Sequence, residues 1–206
     1  MIDRRLFLGA LLSAPLAGCQ TAQQAQVQTA AHSDPVDGSG WYMGWMDDEP
    51  FDVPLVDRSR MSPEFQRQTV AYTGSERPGT IVVDIDDRLL YLVQDGGTAV
   101  RYGVGVGRKG VWPDWSPTTT MVSLKPDLPR HMKGGIANPL GARALYLYQD
   151  DRDILFRIHG TNEPWSIGDA VSSGCIRMLN EDIHDLYNRV PVGTTVMVRR
   201  NGQWRV

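Results

Sequence analysis

Ile158-His159-Gly160-Thr161-Asn162-Glu163-Pro164-Trp165-Ser166-Ile167-Gly168 runs, one residue later, into Ala170-Val171-Ser172-Ser173-Gly174-Cys175-Ile176-Arg177-Met178-Leu179-Asn180. A single His and a single Cys stand sixteen positions apart in this stretch. An apolar, strand-like run precedes His159, and a Ser-Ser-Gly turn presents Cys175. A thiol becomes a nucleophile when a base takes its proton, and imidazole is the usual partner. The loop between them is long enough to fold back and bring the two side chains together. Backbone N–H groups around Gly174 and Cys175 would then face the oxygen of an attacked carbonyl. Arg177, two residues past Cys175, points to the same side in an extended segment. It can hold a substrate carboxylate through both arms of its fork; a structural pairing with Asp182 or a backbone carbonyl is equally open.

Working outward, strand signals begin at Thr80. Thr80–Ile85 and Leu89–Val93 are apolar runs separated by Asp86-Asp87, and Asp95-Gly96-Gly97 is a hairpin turn from which Thr98–Val106 returns. Short meandering strands of this kind predict an antiparallel sheet with one buried face. Asn138-Pro139-Leu140-Gly141 leads into the strand Ala144–Tyr148, Asp150–Asp153 is a polar turn, and Ile154–Ile158 carries His159 on its end. After the Cys, Asn180 reads as an N-cap, with Glu181 and Asp182 in the first turn of a short helix. Ile183, Leu186, Tyr187 and Val190 share one face of it, and His184 falls off that face toward solvent. Pro191-Val192-Gly193 stops the helix, and Thr194–Val198 is a closing strand.

The net charge of −3 gives no reason to expect nucleic acid as a partner. Residues 1–18 read as an export leader: paired Arg4-Arg5 ahead of an apolar run from Leu6 to Leu16, too short to span a membrane as a mature helix. The paired arginines fit a twin-arginine signal and an ordinary one equally. Leu16-Ala17-Gly18-Cys19 resembles a lipoprotein processing box with Cys19 as the lipidated residue, hence a membrane anchor, and Gln20 after it favours the outer membrane. Residues 19–37, rich in Gln and Ala, read as a flexible tether. In residues 38–78 Trp41, Tyr42 and Trp45 are expected to pack on the domain that follows, along with Phe65, Val70 and Tyr72; Pro50, Pro54 and Pro63 argue against a long helix.

With Cys19 lipidated, Cys175 has no disulfide partner, and an unpaired thiol in an exported protein is easiest to understand if it has a job. A zinc site is not expected. His159, Cys175 and His184 are ligand types, but no Cys-x-x-Cys or paired-His spacing accompanies them. No cofactor is implied.

The dense pattern His159-Gly160-Thr161, Pro164, Ile167-Gly168, Ser172, Gly174-Cys175-Ile176-Arg177-Met178, Asn180, Asp182 and Val190–Thr194 resembles the L,D-transpeptidases of bacterial cell walls, the YkuD-type catalytic domain. The resemblance covers about 79–199. It implies a mainly β fold, a sandwich or open barrel with one or two short helices. It also implies Cys175 as nucleophile, His159 as base, and the Gly160 carbonyl as the group orienting the imidazole. Backbone amides near Ser173, Gly174 and Cys175 would stabilise the oxyanion. Many relatives carry a second His where this chain has Ser173. They also carry a strand-rich stretch where only Lys109, Gly110 and Val111 stand here, and by the same resemblance the loop Met121–Ile136 caps the site; His131 within it reads as a surface side chain. The implied substrate is the peptidoglycan stem peptide, joined by 3→3 cross-links in the periplasm, and the implied inhibitors are carbapenems. An outer-membrane protein is a further acyl acceptor in some relatives; hydrolysis to a shortened stem, or plain binding to the wall, is the alternative outcome.

Overall fold

A computed structural model describes residues 38–106, 138–170 and 174–205. These residues are mainly β. The strands are β1 (Tyr42–Met46), β2 (Val53–Val56), β3 (Gln68–Ala71), β4 (Ile81–Asp84), β5 (Leu89–Gln94), β6 (Thr98–Gly103), β7 (Ala144–Gln149), β8 (Arg152–His159), β9 (Ile176–Arg177), β10 (Val196–Arg200) and β11 (Gln203–Arg205). Helix α1 (Asn180–Arg189) sits between β9 and β10. Among the described residues the strands form a six-stranded sheet ordered β11-β10-β4-β5-β6-β3, a three-stranded sheet ordered β7-β8-β9, and the β1-β2 hairpin.

Strand β4 shows why the large sheet is built as it is. Ile81, Val82 and Val83 are continuously apolar, and every residue of the strand is buried. A strand of that composition is covered on both faces. It lies in the sheet's interior, antiparallel to β5 and parallel to β10. The expected antiparallel meander is present in β4-β5-β6. The expectation of purely antiparallel pairing fails at β10, because the chain reaches β10 only after crossing through the small sheet and α1, and so enters beside β4 in the same direction. Arg199 on β10 stands opposite Asp84 and donates from Nε to its Oδ2 at 2.9 Å, neutralising a buried carboxylate.

The main core lies between the large sheet and the layer of β8, β9 and α1. Ile81, Val83, Leu90, Leu92, Val100 and Tyr102 come from one side; Ile158, Ile176, Met178, Ile183 and Leu186 come from the other. The two sheets are also joined through their backbones. Just past β6, Gly105 exchanges both hydrogen bonds with Arg177, each 2.9 Å, so β9 is flanked by β8 on one edge and Gly105 on the other.

The segment ahead of Thr80 contains structure that the sequence did not announce. β1 and β2 form a hairpin, and β3 adds an edge to the large sheet beside β6. Tyr42, Val56 and Met61 form a second buried cluster with Ile167 and Leu179, against which Trp41 and Phe65 pack. Arg58 reaches Asp182 Oδ1 at 2.6 Å and Glu181 Oε1 at 3.2 Å, and Arg67 adds Asp185 Oδ2 at 3.2 Å. The first turn of α1 is therefore tied to this segment by ion pairs as well as by packing.

Helix α1 departs from expectation in three places. Asn180 is its first residue and not its N-cap; Leu179 holds that position without a side-chain cap. Tyr187 is exposed at 46 % while Ile183 and Leu186 are fully buried, so the apolar face is narrower than the spacing suggests. His184 is only half exposed, with Nε2 3.5 Å from Asp48 Oδ1 on the strap after β1. The turn of β7-β8 is also tighter than expected: Asp150 and Asp151 take left-handed backbone angles, φ 48° and 60°, and Arg152 already belongs to β8. Expectations for Cys19, the tether, Lys109–Val111, the Met121–Ile136 loop with His131, and Ser173 lie outside the described residues.

Candidate active site

Parallel pairing of β8 with β9 assembles the site. Ile158 stands opposite Ile176, and His159 opposite Arg177. Side chains alternate along a strand. Ile158 and Ile176 are both fully buried in the core, which by burial alone contributes about 2–3 kcal/mol each. Their insertion fixes the register, since a slip by one residue would drive His159 and Arg177 into the core instead. His159 and Arg177 thus share the other face. Arg157, and Cys175 just ahead of β9, belong to the same face two residues back along their own chains.

Gly174 delivers Cys175 into that position. Its φ of +131° is a backbone conformation that side chains rarely adopt, and a Cβ there would stand 3.2 Å from the Phe156 ring. Cys175 is in no disulfide among the described residues and is exposed at 9 %. Its burial pushes the thiol above its ordinary value, while a backbone hydrogen bond from Arg157 and the charges of Arg157 and Arg177 pull the other way.

His159 is exposed at 5 %. Its Nδ1 lies 2.5 Å from the Gly160 carbonyl oxygen, so Nδ1–H donates and Nε2 is left as the basic nitrogen. Burial lowers its pKa to about 4, against the raising effect of the Gly160 carbonyl. Both shifts act in one direction, favouring the neutral thiol and the neutral imidazole.

The loop after His159 is held by a residue read at first as a cap. Asn180 Oδ1 accepts from the Ala142 amide at 2.9 Å, and Nδ2 donates to the Thr161 carbonyl at 2.9 Å. Gly160 passes so close that a Cβ on it would come within 2.2 Å of Asn180 Oδ1 and 3.0 Å of the Ala142 nitrogen. Met178 donates from its amide to the His159 carbonyl at 2.8 Å, and Gly160 to the Arg143 carbonyl at 3.0 Å. The backbone around His159 is therefore clamped by the segment just ahead of β7, by the residue just after β9 and by α1 together. The sequence shows an Asn two residues after Met178 but gives no sign of this job.

Among the described residues Arg177 does not pair with Asp182, the carboxylate foreseen for it. Asp182 is taken by Arg58 and Arg67. Arg177 Nη1 instead donates to Glu163 Oε2 at 2.7 Å, with Ser166 Oγ at 3.5 Å. Glu163 was not singled out from sequence; only the bend created by Pro164–Ser166 turns it back over β9. Among the described residues no three His, Cys, Asp or Glu side chains gather as a metal site. No helix among them is long and apolar enough to cross a membrane.

Residues 78–198 match the model of the YkuD L,D-transpeptidase catalytic domain, and the chain belongs to that family. A probable L,D-transpeptidase ErfK/SrfK of Escherichia coli is 34% identical over 141 residues, 59% of this chain and 44% of that protein. The putative L,D-transpeptidase YkuD of Bacillus subtilis is 50% identical over 62 residues, 30% of this chain and 35% of that one. The chain thus spans less than half the length of these two relatives. A crystal structure of a probable carnitine operon oxidoreductase from Brucella melitensis is 43% identical and covers 69% of this chain and 99% of that one, at a TM-score of 0.37.

Proposed function

We propose that the protein is a peptidoglycan L,D-transpeptidase that forms 3→3 cross-links through a thioester on Cys175. The observation that carries this reading is the parallel register of β8 and β9, which puts a buried His159, its Nδ1 committed to Gly160, at the end of one strand and the buried Cys175 thiol directly ahead of the other. His159 Nε2 takes the thiol proton as Sγ attacks the carbonyl of the third stem residue, a diamino acid. Burial favours the neutral form of both groups, so in this reading the proton moves with the attack. Amides near Ser173, Gly174 and Cys175 receive the oxyanion. Collapse breaks the C–N bond to the terminal D-alanine, whose amine leaves with the proton held by His159. An amine on a second stem then attacks the thioester carbon, and the sulfur leaves and regains a proton through His159. Arg177 is the cation available to a substrate carboxylate.

In this reading residues 1–18 are removed and Cys19 carries lipid. The anchored domain then works in the periplasm, on the outer membrane, with the tether spanning the distance to the wall. The test is a tetrapeptide donor incubated with and without an excess of diamino-acid stem. Cross-linked dimer as the main product supports the transpeptidase. Free tripeptide dominating at saturating acceptor makes it an L,D-carboxypeptidase. Transfer to an outer-membrane protein alone would make it a protein–wall ligase, and no product from any donor would leave a wall-binding lipoprotein.

A further inference from the structure

Glu163 and Arg177 form an ion pair at the candidate site, and the reaction outlined above gives Glu163 no use. The pair is half exposed, at 23% for Arg177 and 33% for Glu163. Exposed pairs contribute little to stability, about 0–1 kcal/mol, so folding alone is a weak reason for it. Its placement is more telling. Arg177 is in register with His159, and its charge bears on both His159 and Cys175. Its backbone cannot drift: its N–H and C=O are both bonded to Gly105, and the next residue, Met178, donates to the His159 carbonyl of β8. The side-chain hydrogen bonds that Arg177 makes among the described residues, to Glu163 and Ser166, leave from Nη1. Nε and Nη2 make none among the described residues, and that edge of a guanidinium is one that takes a carboxylate bidentately.

We propose that Glu163 is a specificity-determining residue: by holding Nη1 of Arg177 it aims the Nε–Nη2 edge at the carboxylate beside the amine of the incoming acyl acceptor. The acceptor class is then an α-amino carboxylate, such as the side-chain end of a diaminopimelate stem, in preference to a plain alkyl amine or water. A carboxylate bound at Arg177 places the amine on the same carbon next to the thioester. That nitrogen attacks the carbonyl carbon, the C–N bond forms as the C–S bond breaks, and the ammonium proton passes through His159 Nε2 to the departing sulfur. Glu163 acts through Arg177 and touches no reacting atom, so it is a positioning residue. The inference rests on the thioester reading of the site.

The experiment compares two acceptor stems on the full chain, one ending in diaminopimelate and one in lysine, which has the same amine without the adjoining carboxylate. Acyl-enzyme formation from a tetrapeptide donor is followed separately by intact mass. The wild type is expected to favour the diaminopimelate stem by about tenfold or more in kcat/KM for the acceptor, the scale of a charge-assisted hydrogen bond. In Glu163→Gln that preference should shrink to a few fold, mainly through KM, and Glu163→Asp should restore part of it. Arg177→Lys keeps the charge, loses the fork, and should also lose the preference, which covers the case of a Glu163→Gln protein that does not fold. Equal losses on both stems in Glu163→Gln would overturn the proposal and make the pair a structural pin. An unchanged ratio in both variants would overturn it too. Failure of the wild type to form any acyl-enzyme would bring down the thioester reading, and this inference with it.

Discussion

Replacing Asn180 by Ala should uncouple the His159 loop without touching a reacting atom. The change removes two hydrogen bonds at 2.9 Å and leaves the Thr161 carbonyl buried without that partner and the Ala142 amide half-buried without its own. A buried orphan costs about 1–3 kcal/mol and a lost hydrogen bond in a half-buried site about 0.5–1.5, so the expected loss is about 2–4 kcal/mol. For a domain of this size each kcal/mol lowers Tm by about 2–4 °C, giving a fall of about 4–16 °C. Chemistry should suffer separately. Gly160 both passes Asn180 at close range and supplies the carbonyl that fixes the imidazole, and a shift of about 1 Å in such a group can cost on the order of a hundredfold in rate. Asn180→Asp makes the test sharper. It keeps an oxygen for the Ala142 amide but turns a second acceptor toward the Thr161 carbonyl, so it should not rescue. Thermal unfolding and the rate of acyl-enzyme formation, measured well below each variant's Tm, read the two effects. A Tm within about 2 °C of wild type together with an unchanged acylation rate would refute the clamp.

Gly160→Ala should be as damaging, because its new Cβ would collide with Asn180 Oδ1 at 2.2 Å; soluble, active protein at wild-type Tm would contradict the packing described. The pH dependence follows from burial. With His159 lowered to about 4 and the Cys175 thiol raised, the acylation rate should be flat from about pH 5 to 8 and fall only as His159 is protonated near 4; a rise through pH 6–7 would point to an ordinary imidazole. Stability carries the matching sign: the unfolded chain binds the His159 proton below about 6.5 and the folded one only near 4, so His159 lowers stability progressively as pH drops through that window. A carbapenem, whose strained carbonyl needs only the thiol, its base and an oxyanion pocket, should add its mass to the intact protein; no adduct at millimolar drug would mean a closed cleft or an unactivated thiol. Mass analysis of the mature N-terminus should find lipid on Cys19, and an unmodified N-terminus elsewhere rejects the anchor.

What could be read from the sequence follows the strength of local signals. β4, β5, β6 and β8 are apolar runs closed by Asp- and Gly-rich turns, and the His-Gly-Thr and Ser-Gly-Cys-Ile-Arg runs place the candidate pair at a strand end and a turn. The parallel seat of β10 beside β4 was not legible, because its partner lies over a hundred residues earlier and nothing local distinguishes parallel from antiparallel pairing. β1 and β2 hid behind Gly44 and Pro54, residues that weaken any strand reading yet are tolerated in a two-stranded hairpin. Asn180 looked like a cap because Asn before Glu-Asp usually is one; the partners that draw its side chain away, Ala142 and Thr161, are distant in sequence. Glu163 carried no signal, since its link to Arg177 exists only once the loop has closed over β9.

The most direct test of the central claim is intact-mass analysis of the protein mixed with a tetrapeptide donor, in parallel with the Cys175→Ala variant. The expected result is an adduct equal to the donor less its terminal D-alanine, mapped to Cys175 by fragmentation. It should be absent in Cys175→Ala, whose thermal unfolding should stay within about 4 °C of wild type. Turnover retained by Cys175→Ala, or product formed with the adduct on another residue, would contradict a thioester at Cys175.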